Sequence, residues 1–254
     1  MISPPAQPQI PLSPEARGPI PAQGGVGIWL RRYRRYLPIP LCLIAVIWLR
    51  PVTPWGSPFL DTFTDVLGVG LCLLGQSLRA WAWGSNADVG KAGVRTRGPY
   101  TLMRHPLYAG NFLILSGLVV IFNNPLAYPL FLIPFAYLYH VITDMEEQRM
   151  SRRFGTDYSE YRVNDVPRFW PALGHRQAAL NTTLPFSWKL AWRKECESCC
   201  GWLAGVATLE IYEGVFIYGW TQNWPYTRNW IVLLGLAGVT AFSLWVQKIL
   251  TRPL

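Results

Sequence analysis

The segment Gly98-Pro-Tyr-Thr-Leu-Met-Arg-His-Pro-Leu-Tyr-Ala-Gly110 leads from a polar stretch of the chain into a long apolar run. Gly98-Pro99 is a turn signal, and Pro106 suits the first turn of a helix, where its missing N–H group leaves no hydrogen bond unmade. The segment therefore predicts a turn and then a helix that begins at Pro106. His105 would lie beside the helix N-terminus, whose outward N–H groups attract anions such as an amino-acid carboxylate.

The whole chain has the composition of a membrane protein. Of its 254 residues, 51% are hydrophobic and only 15% are charged, whereas soluble domains carry about 25% charged residues. Apolar runs occupy residues 36–49, 59–83, 107–142, 199–220 and 230–250. The third run exceeds the ~20 residues that cross one bilayer, and Asn123-Asn124-Pro125 predicts a turn that divides it into a hairpin. The expected fold is all-α, with about six transmembrane helices.

The basic residues predict one orientation in the membrane. A cluster between residues 31 and 35 precedes the first span, and an inside N-terminus also places segments 84–104 and 144–198 inside. The outer segments then hold only Arg50 and Arg228 of the 23 Lys and Arg residues, as the positive-inside rule requires. Both termini and both polar segments are expected to be cytoplasmic. The net charge of +9 is explained by this topology, and no nucleic-acid-binding module accompanies it.

The chain divides into three parts by composition. Residues 1–27 contain seven prolines and little apolar periodicity, which predicts a disordered tail. Residues 28–171 are expected to form a membrane core, and residues 172–254 an extension with two further spans. At the start of that extension, Cys196, Cys199 and Cys200 lack nearby histidines and a second cysteine pair, so we expect no zinc site. Lipid modification and ordinary packing of these cysteines both remain open.

The second polar segment begins at Glu146-Glu147, which continues the fourth span. This position places both carboxylates at the cytoplasmic mouth of the hairpin, close to Pro106. They suit a cationic ligand or ribose hydroxyls, although salt bridges to nearby arginines on a solvated helix would explain them equally well. Phe154-Gly155 is expected to end this helix. An aromatic group suited to a lid or to the membrane interface follows: Tyr158, Tyr161, Phe169 and Trp170.

Taken together, these motifs resemble the isoprenylcysteine carboxyl methyltransferase and phospholipid methyltransferase superfamily of integral membrane enzymes. The resemblance covers about residues 70–171. It rests on Gly98-Pro-Tyr-x-x-x-Arg-His-Pro-x-Tyr-x-Gly110, the hairpin, Glu146-Glu147, Phe154-Gly-x-x-Tyr-x-x-Tyr161 and Val166-Pro-Arg168. The stretch Gly75-Gln-Ser-Leu-Arg79-Ala-Trp81 is also similar to the family's preceding span.

This resemblance implies an S-adenosylmethionine site, with residues 92–95 closing over the cofactor and with Glu147 and Gly110 in support. The motif positions that would contact it are Tyr100, His105, Pro106, Leu107, Tyr108 and Glu146. In-line displacement at a sulfonium methyl group depends on positioning and water exclusion, so we assign no catalytic acid or base and no metal. A hydrophobic acceptor would arrive through the bilayer, and the cofactor from the cytosol.

The methyl acceptor is less well defined. Isoprenylcysteine enzymes carry a substrate-binding arginine one turn before the first matched glutamate, whereas this chain has Ile142. An amine-bearing phospholipid, a hydrophobic carboxylate and a thiol all stay open. Arg79, Glu210 and Glu213 are candidate acceptor residues, because charged groups inside spans usually serve a function. The two glutamates would recognise an amine, pair with Arg79, or reach water if the span is shifted.

Two rival interpretations remain. Sterol-reductase-like enzymes that use NADPH share an Arg-His-Pro-x-Tyr-x-Gly segment, but they carry Asn where this chain has Leu107 and Lys-Tyr-Gly where it has Arg153-Phe-Gly. Glu146-Glu147 also favours methyl transfer. The second rival is a non-catalytic membrane protein with a degenerate site, against which the complete set of matched motif residues argues.

Overall fold

The computed structural model describes residues 48–53, 56–89, 93–163, 166–180, 185–220 and 224–250. Within these ranges all regular structure is helical, which confirms the all-α class. The expected tail at 1–27 and nearly all of the first expected span lie outside the described residues. Seven α-helices are defined: α1 Pro58–Gly84, α2 Pro106–Phe122, α3 Ala127–Phe154, α4 Thr156–Val163, α5 Arg176–Leu180, α6 Trp188–Tyr218 and α7 Trp224–Leu250. Short 3-10 helices lie at Gly98–Thr101 and Leu173–His175.

Helices α1 and α2 pack antiparallel along a seam of glycines. A Cβ atom at Gly75 would lie 2.5 Å from the carbonyl oxygen of Gly110, and one at Gly68 would lie 2.6 Å from that of Gly117. Seven residues separate the glycines on each helix, so both pairs fall on the same faces. The two backbones therefore approach more closely than any larger residue allows, as is common between membrane helices.

Helices α2 and α3 form the expected hairpin. Pro106 occupies the first turn of α2, and α2 ends at Asn123, whose φ of 53° lies in the left-handed region. The side-chain oxygen of Asn124 accepts a hydrogen bond from the Leu126 amide at 2.9 Å and closes the turn. The expected end of α3 is also confirmed, since Phe154 is its last residue and Gly155 follows with φ +52°.

Among the residues that the structure describes, three helices are long and apolar enough to cross a membrane: Pro58–Gly84, Trp188–Ile217 and Trp224–Gln247. Helix α2 is apolar but has only 17 residues. These helices indicate an integral membrane protein, while the count of six spans stays a prediction. The expected fifth span, roughly residues 199–220, falls mostly within a longer helix, because α6 begins at Trp188. Ser187 caps this earlier start by accepting a hydrogen bond from the Leu190 amide at 3.3 Å.

The two polar segments lie on the same side of the helices and bind each other. The Arg104 amide donates to the Pro167 carbonyl at 2.8 Å, and the Ala172 amide donates to the Leu102 carbonyl at 2.9 Å. The Tyr161 hydroxyl donates to the Tyr100 carbonyl at 2.6 Å in a buried position. These bonds hold α4 and the segment after it against the loop that precedes α2.

Candidate functional site

A cavity of about 710 Å³ lies among α1, α2 and α3, under the loop that precedes α2 and beside α4. Its polar end is lined by Arg95, Tyr100, Arg104, His105, Glu146 and Arg153, and its apolar end by Leu107, Phe135, Leu138 and Ile142. Phe135 precedes Glu146 by eleven residues on α3, which corresponds to roughly 16 Å along the helix. The cavity is therefore elongated, with polar groups at the loop end and apolar groups between the helices.

The sequence-derived cofactor residues divide into two groups in the structure. Five line the cavity: Tyr100, His105, Leu107, Tyr108 and Glu146. Pro106 is buried at the first position of α2 without lining it. Glu147 belongs to a different depression, beside Asp144 and Arg168. Of the segment expected to close over the site, Gly93, Val94 and Arg95 line the cavity, and Ala92 lies outside the described residues.

Glu147 is a buried carboxylate that receives hydrogen bonds from three side chains. Its Oε1 atom lies 3.1 Å from His105 Nε2, 3.1 Å from Arg104 Nε and 3.1 Å from Arg168 Nε. Arg168 Nη2 donates to Oε2 at 3.2 Å. Burial opposes ionisation, but the hydrogen bonds from His105 and Arg168 and the charges of both arginines lower the pKa of Glu147 to about 2. The carboxylate is therefore ionised and ties α3 to the start of α2.

The Val166-Pro167-Arg168 segment completes this cluster. The Arg168 carbonyl accepts a hydrogen bond from the His105 amide at 3.1 Å, and Arg104 Nη1 donates to the Val166 carbonyl at 2.6 Å. Arg168 also pairs with Asp144 at 2.7 Å. Sequence reasoning identified Val-Pro-Arg as a motif but not its task, which is to fix the backbone and ring of His105.

The N-terminus of α2 has fewer free N–H groups than the sequence suggests. The amides of Tyr108 and Ala109 both donate to the His105 carbonyl at 3.1 Å, and the His105 amide is bound to Arg168. Positive side chains at the polar end are the stronger attraction for an anion. Among them, the Arg95 guanidinium lies 4.3 Å from the Trp83 ring centre.

Aromatic side chains form much of the cavity wall. The rings of Tyr108 and Tyr139 meet edge to face with centres 5.3 Å apart, and Phe135 lies 6.0 Å from Tyr139. Tyr158 also lines the wall, and burial raises its pKa to about 12, so it stays neutral. Such a wall suits a flat heterocycle and attracts cations through the ring faces.

The expected aromatic lid is only partly at the site. Tyr158 and Tyr161 line the cavity, and the Phe169 ring centre lies 6.1 Å from that of His105. Trp170 is 82% exposed and points away.

Glu146 differs from its neighbour Glu147 in its exposure and in its position relative to the cavity. It is exposed and lines the cavity. Within the described ranges no ion pair is seen for it, unlike Glu147, which pairs with Arg104 and Arg168 and contacts His105. The arginines that pair with Glu147 are Arg104 and Arg168, which come from other segments and not from α3. Glu146 is the carboxylate available to a ligand.

The model of the phospholipid methyltransferase family matches residues 63–157, which contain α1 from its second turn, α2, α3 and most of the cavity wall. This segment is similar to the phospholipid methyltransferase family, which confirms the sequence resemblance to integral membrane methyltransferases.

Two curated proteins are similar to part of this chain. The cobalt-zinc-cadmium resistance protein CzcN of Cupriavidus metallidurans is 31% identical over 119 residues, 47% of this chain and 52% of that protein. The nickel-cobalt-cadmium resistance protein NccN of Alcaligenes xylosoxydans xylosoxydans is 29% identical over 119 residues, 47% of this chain and 53% of that protein. The chain thus spans about half the length of these relatives. No solved structure matches it.

Arg79 lies within the phospholipid methyltransferase family segment and lines the cavity. Its Nε and Nη2 atoms donate to Glu195 of α6 at 2.7 and 2.9 Å, and Nη1 donates to Asn111 of α2. Gln76 donates to the same glutamate at 2.9 Å. The expected pairing of Arg79 with Glu210 or Glu213 is therefore wrong, and Glu195, which sequence reasoning passed over, is its partner.

Glu210 and Glu213 lie at the other end of α6, outside the family segment and outside the cavity lining. Glu210 follows Glu195 by fifteen residues, roughly 22 Å along the helix. Glu210 accepts a hydrogen bond from the Tyr226 hydroxyl at 2.6 Å, and Glu213 lies in hydrogen-bonding contact with Asp61. Their exposures are 5% and 6%, so a shifted span that would bring them to water is not observed.

The cysteines of the extension lie on the third and fourth turns of α6. Cys196 and Cys200 are buried, and Cys199 is half-buried. Within the described ranges no group of three or more His, Cys, Asp or Glu side chains is placed to hold a metal ion.

Proposed function

We propose that this protein is an S-adenosylmethionine-dependent methyltransferase that acts on a hydrophobic or membrane-embedded acceptor. One observation carries the proposal: the cavity of about 710 Å³ joins a charged end to an apolar end that lies between α2 and α3. Its volume falls within the ~300–1,000 Å³ typical of small-molecule sites. The family of residues 63–157 supplies the reaction class.

The polar end fits the polar groups of the cofactor. Glu146 would receive ribose hydroxyls or the amino group, and Arg95, Arg104 and His105 would face its carboxylate. The rings of Tyr100 and Tyr108 would pack against the adenine and attract the positive sulfonium. When bound, the cofactor supplies an electrophilic methyl group on sulfur.

The chain's own contribution is to position the reactants and to exclude water. A methyl transfer needs the acceptor atom in line with the bond that breaks, and correct placement supplies much of the rate enhancement. The bonds of Glu147 and Arg168 to His105 fix one wall, and the Tyr161–Tyr100 bond holds α4 against the opening. Glu147 is thus proposed as a positioning residue, in place of the direct cofactor contact that the sequence suggested.

The apolar end supports a lipid-soluble acceptor. Ile142 is 4% exposed and lines the cavity at the position where the isoprenylcysteine enzymes carry an arginine. The wall there continues with Phe135 and Leu138. A lipid chain would enter between the helices, while the cofactor would enter from the loop side.

We further propose the membrane arrangement that the basic residues predict: six spans with both termini cytoplasmic, and residues 28–171 as the catalytic core. The names of the two relatives refer to metal resistance.

Methyl transfer by the purified protein tests the proposal. The protein is reconstituted with a membrane lipid extract and methyl-labelled S-adenosylmethionine, and label is followed into lipid, protein and volatile products. We expect label in the lipid fraction with wild type and none with Glu146→Gln. Binding of a reduced nicotinamide cofactor without binding of S-adenosylmethionine would contradict the proposal and favour the reductase alternative.

A further inference from the structure

The pair Arg79–Glu195 lies at the boundary between the cavity and the C-terminal extension. Arg79 lies on α1 and lines the cavity, whereas Glu195 lies on α6, beyond the segment that matches the family. The side chains of Arg79 and Glu195 are 15% and 4% exposed. Both side chains are thus buried, at the side of the cavity where α1 packs against α6.

The geometry of the pair is that of two parallel hydrogen bonds. Arg79 Nε lies 2.7 Å from Glu195 Oε2, and Arg79 Nη2 lies 2.9 Å from Glu195 Oε1. This two-bond arrangement is the one by which arginine recognises a carboxylate ligand. Glu195 therefore occupies the face of the guanidinium that a carboxylate substrate would need.

The surrounding residues hold this arrangement in place. Asn111 accepts from Arg79 Nη1, and Gln76 donates to Glu195 Oε2 at 2.9 Å. Trp202, about two turns after Glu195 on α6, donates from Nε1 to the Gln76 side-chain oxygen at 3.2 Å. Gly110 leaves room for the arginine stem, since a Cβ there would lie 2.6 Å from Arg79 Cγ. Three helices thus fix the pair, and its charges cancel.

The position along the helices places the pair beside the acceptor rather than beside the polar end of the cofactor site. Asn111 lies five residues into α2 from Pro106, which is roughly 7.5 Å from the loop side. At a comparable depth on α3, Ile142 lies four residues before Glu146, roughly 6 Å along the helix, and it is an apolar residue of the cavity wall. A cation without a partner at this depth would be a strong anion site, because opposite charges attract strongly where water is scarce.

We propose that Glu195 is a specificity-determining residue, which occupies Arg79 and thereby keeps the acceptor end of the cavity from binding carboxylates. The acceptor of the proposed methyltransferase then carries an uncharged reacting group, such as a neutral amine or thiol. This inference rests on the proposed function, because only a methyltransferase has a methyl acceptor. The effect of Glu195 on anion binding, however, can be measured without any methyl transfer. The extension is, on this account, part of the site.

Binding of octanoate and octanol to the purified full chain in non-ionic detergent tests the inference by calorimetry. Comparison between variants cancels partition of either probe into micelles. Wild type is expected to bind octanoate no more tightly than octanol. Glu195→Gln frees a buried guanidinium, so its octanoate affinity should rise by about tenfold or more. Glu197→Gln, at an exposed position two residues away, should leave octanoate binding unchanged.

The double variant Arg79→Gln/Glu195→Gln removes both charges, so the site stays neutral. This variant can be tested even if the protein does not fold with an unpaired buried charge. Its octanoate affinity should equal that of wild type. The inference is overturned if Glu195→Gln leaves octanoate binding unchanged, or if the double variant loses an octanoate affinity that wild type possesses. S-adenosylmethionine binding by the same samples reports separately on the proposed function, because its absence in wild type would contradict that function and leave the octanoate comparison intact.

Discussion

Glu147 Oε1 lies 3.1 Å from His105 Nε2, and this contact joins the end of one polar segment to the start of the other. The same oxygen accepts hydrogen bonds from Arg104 and Arg168. His105 therefore faces the cavity with its ring held from behind. Glu147 itself lies outside the cavity lining, which is consistent with the positioning role proposed for it.

Glu147→Gln is expected to weaken S-adenosylmethionine binding without abolishing folding. The amide keeps the volume but loses the charge that two arginines and His105 require, so the wall loosens. We expect the affinity to fall by about tenfold, as small displacements of positioning residues commonly produce. Calorimetry measures the effect, and Glu160→Gln, at an exposed position on α4, is the matched control. Equal affinities in wild type and Glu147→Gln would contradict the positioning role.

The stability of the protein should depend on Glu147 in acid. The pKa of this carboxyl is lowered from 4.5 to about 2 in the folded chain. Its contribution to stability is therefore complete above pH 4.5 and is lost as the pH falls toward 2. Thermal unfolding in detergent measures the loss when the pH is lowered from about 5 to about 2. Glu147→Gln should show a shallower decline than wild type, and identical slopes would count against the assignment.

The glycine seam predicts opposite effects for two nearby substitutions on α1. Gly68→Ala brings a methyl group within 2.6 Å of the Gly117 carbonyl oxygen, whereas nothing lies within 4 Å of a methyl group at Gly70. We expect Gly68→Ala to destabilise the protein by about 1–3 kcal/mol, since the helices must separate. Gly70→Ala should be neutral or stabilising, because alanine favours the helix. Thermal unfolding of both variants measures their stabilities, and equal changes in the melting temperature would contradict close packing along the glycine seam.

The Tyr161 hydroxyl should matter for holding α4 over the cavity. It donates to the buried Tyr100 carbonyl at 2.6 Å, and Tyr161→Phe would leave that oxygen without this donor. The cost is expected to be about 1–2 kcal/mol, with faster hydrogen exchange in α4 as the specific sign. Unchanged exchange in α4 would show that other contacts hold it.

Much of the fold around the site follows from local sequence. Pro106 marks the start of α2, Asn123-Asn124 the hairpin turn, and Gly155 the end of α3, because each residue has a backbone preference that acts on its immediate neighbours. The sequence does not show that Glu146 lines the cavity whereas Glu147 binds the neighbouring segments. Adjacent residues on a helix point about 100° apart, so only one of the two glutamates can face the cavity.

The contacts of the extension could not be derived from the sequence. Residues 189–195 are strongly charged and belong to the polar segment 144–198, and they form the first turns of α6. Glu195 bonds to Arg79, 116 residues earlier in the chain. Local patterns do not specify such a partner, since several carboxylates in the chain would satisfy an arginine equally well until the packing of α6 against α1 selects one.

Equilibrium binding of labelled S-adenosylmethionine to the purified full chain tests the central claim most directly. The account predicts saturable binding to wild type, loss of binding in Glu146→Gln, and wild-type affinity in Glu160→Gln, whose exposed carboxylate lies outside the cavity lining. Failure of the wild-type protein to bind, or equal binding by Glu146→Gln and wild type, would contradict the account.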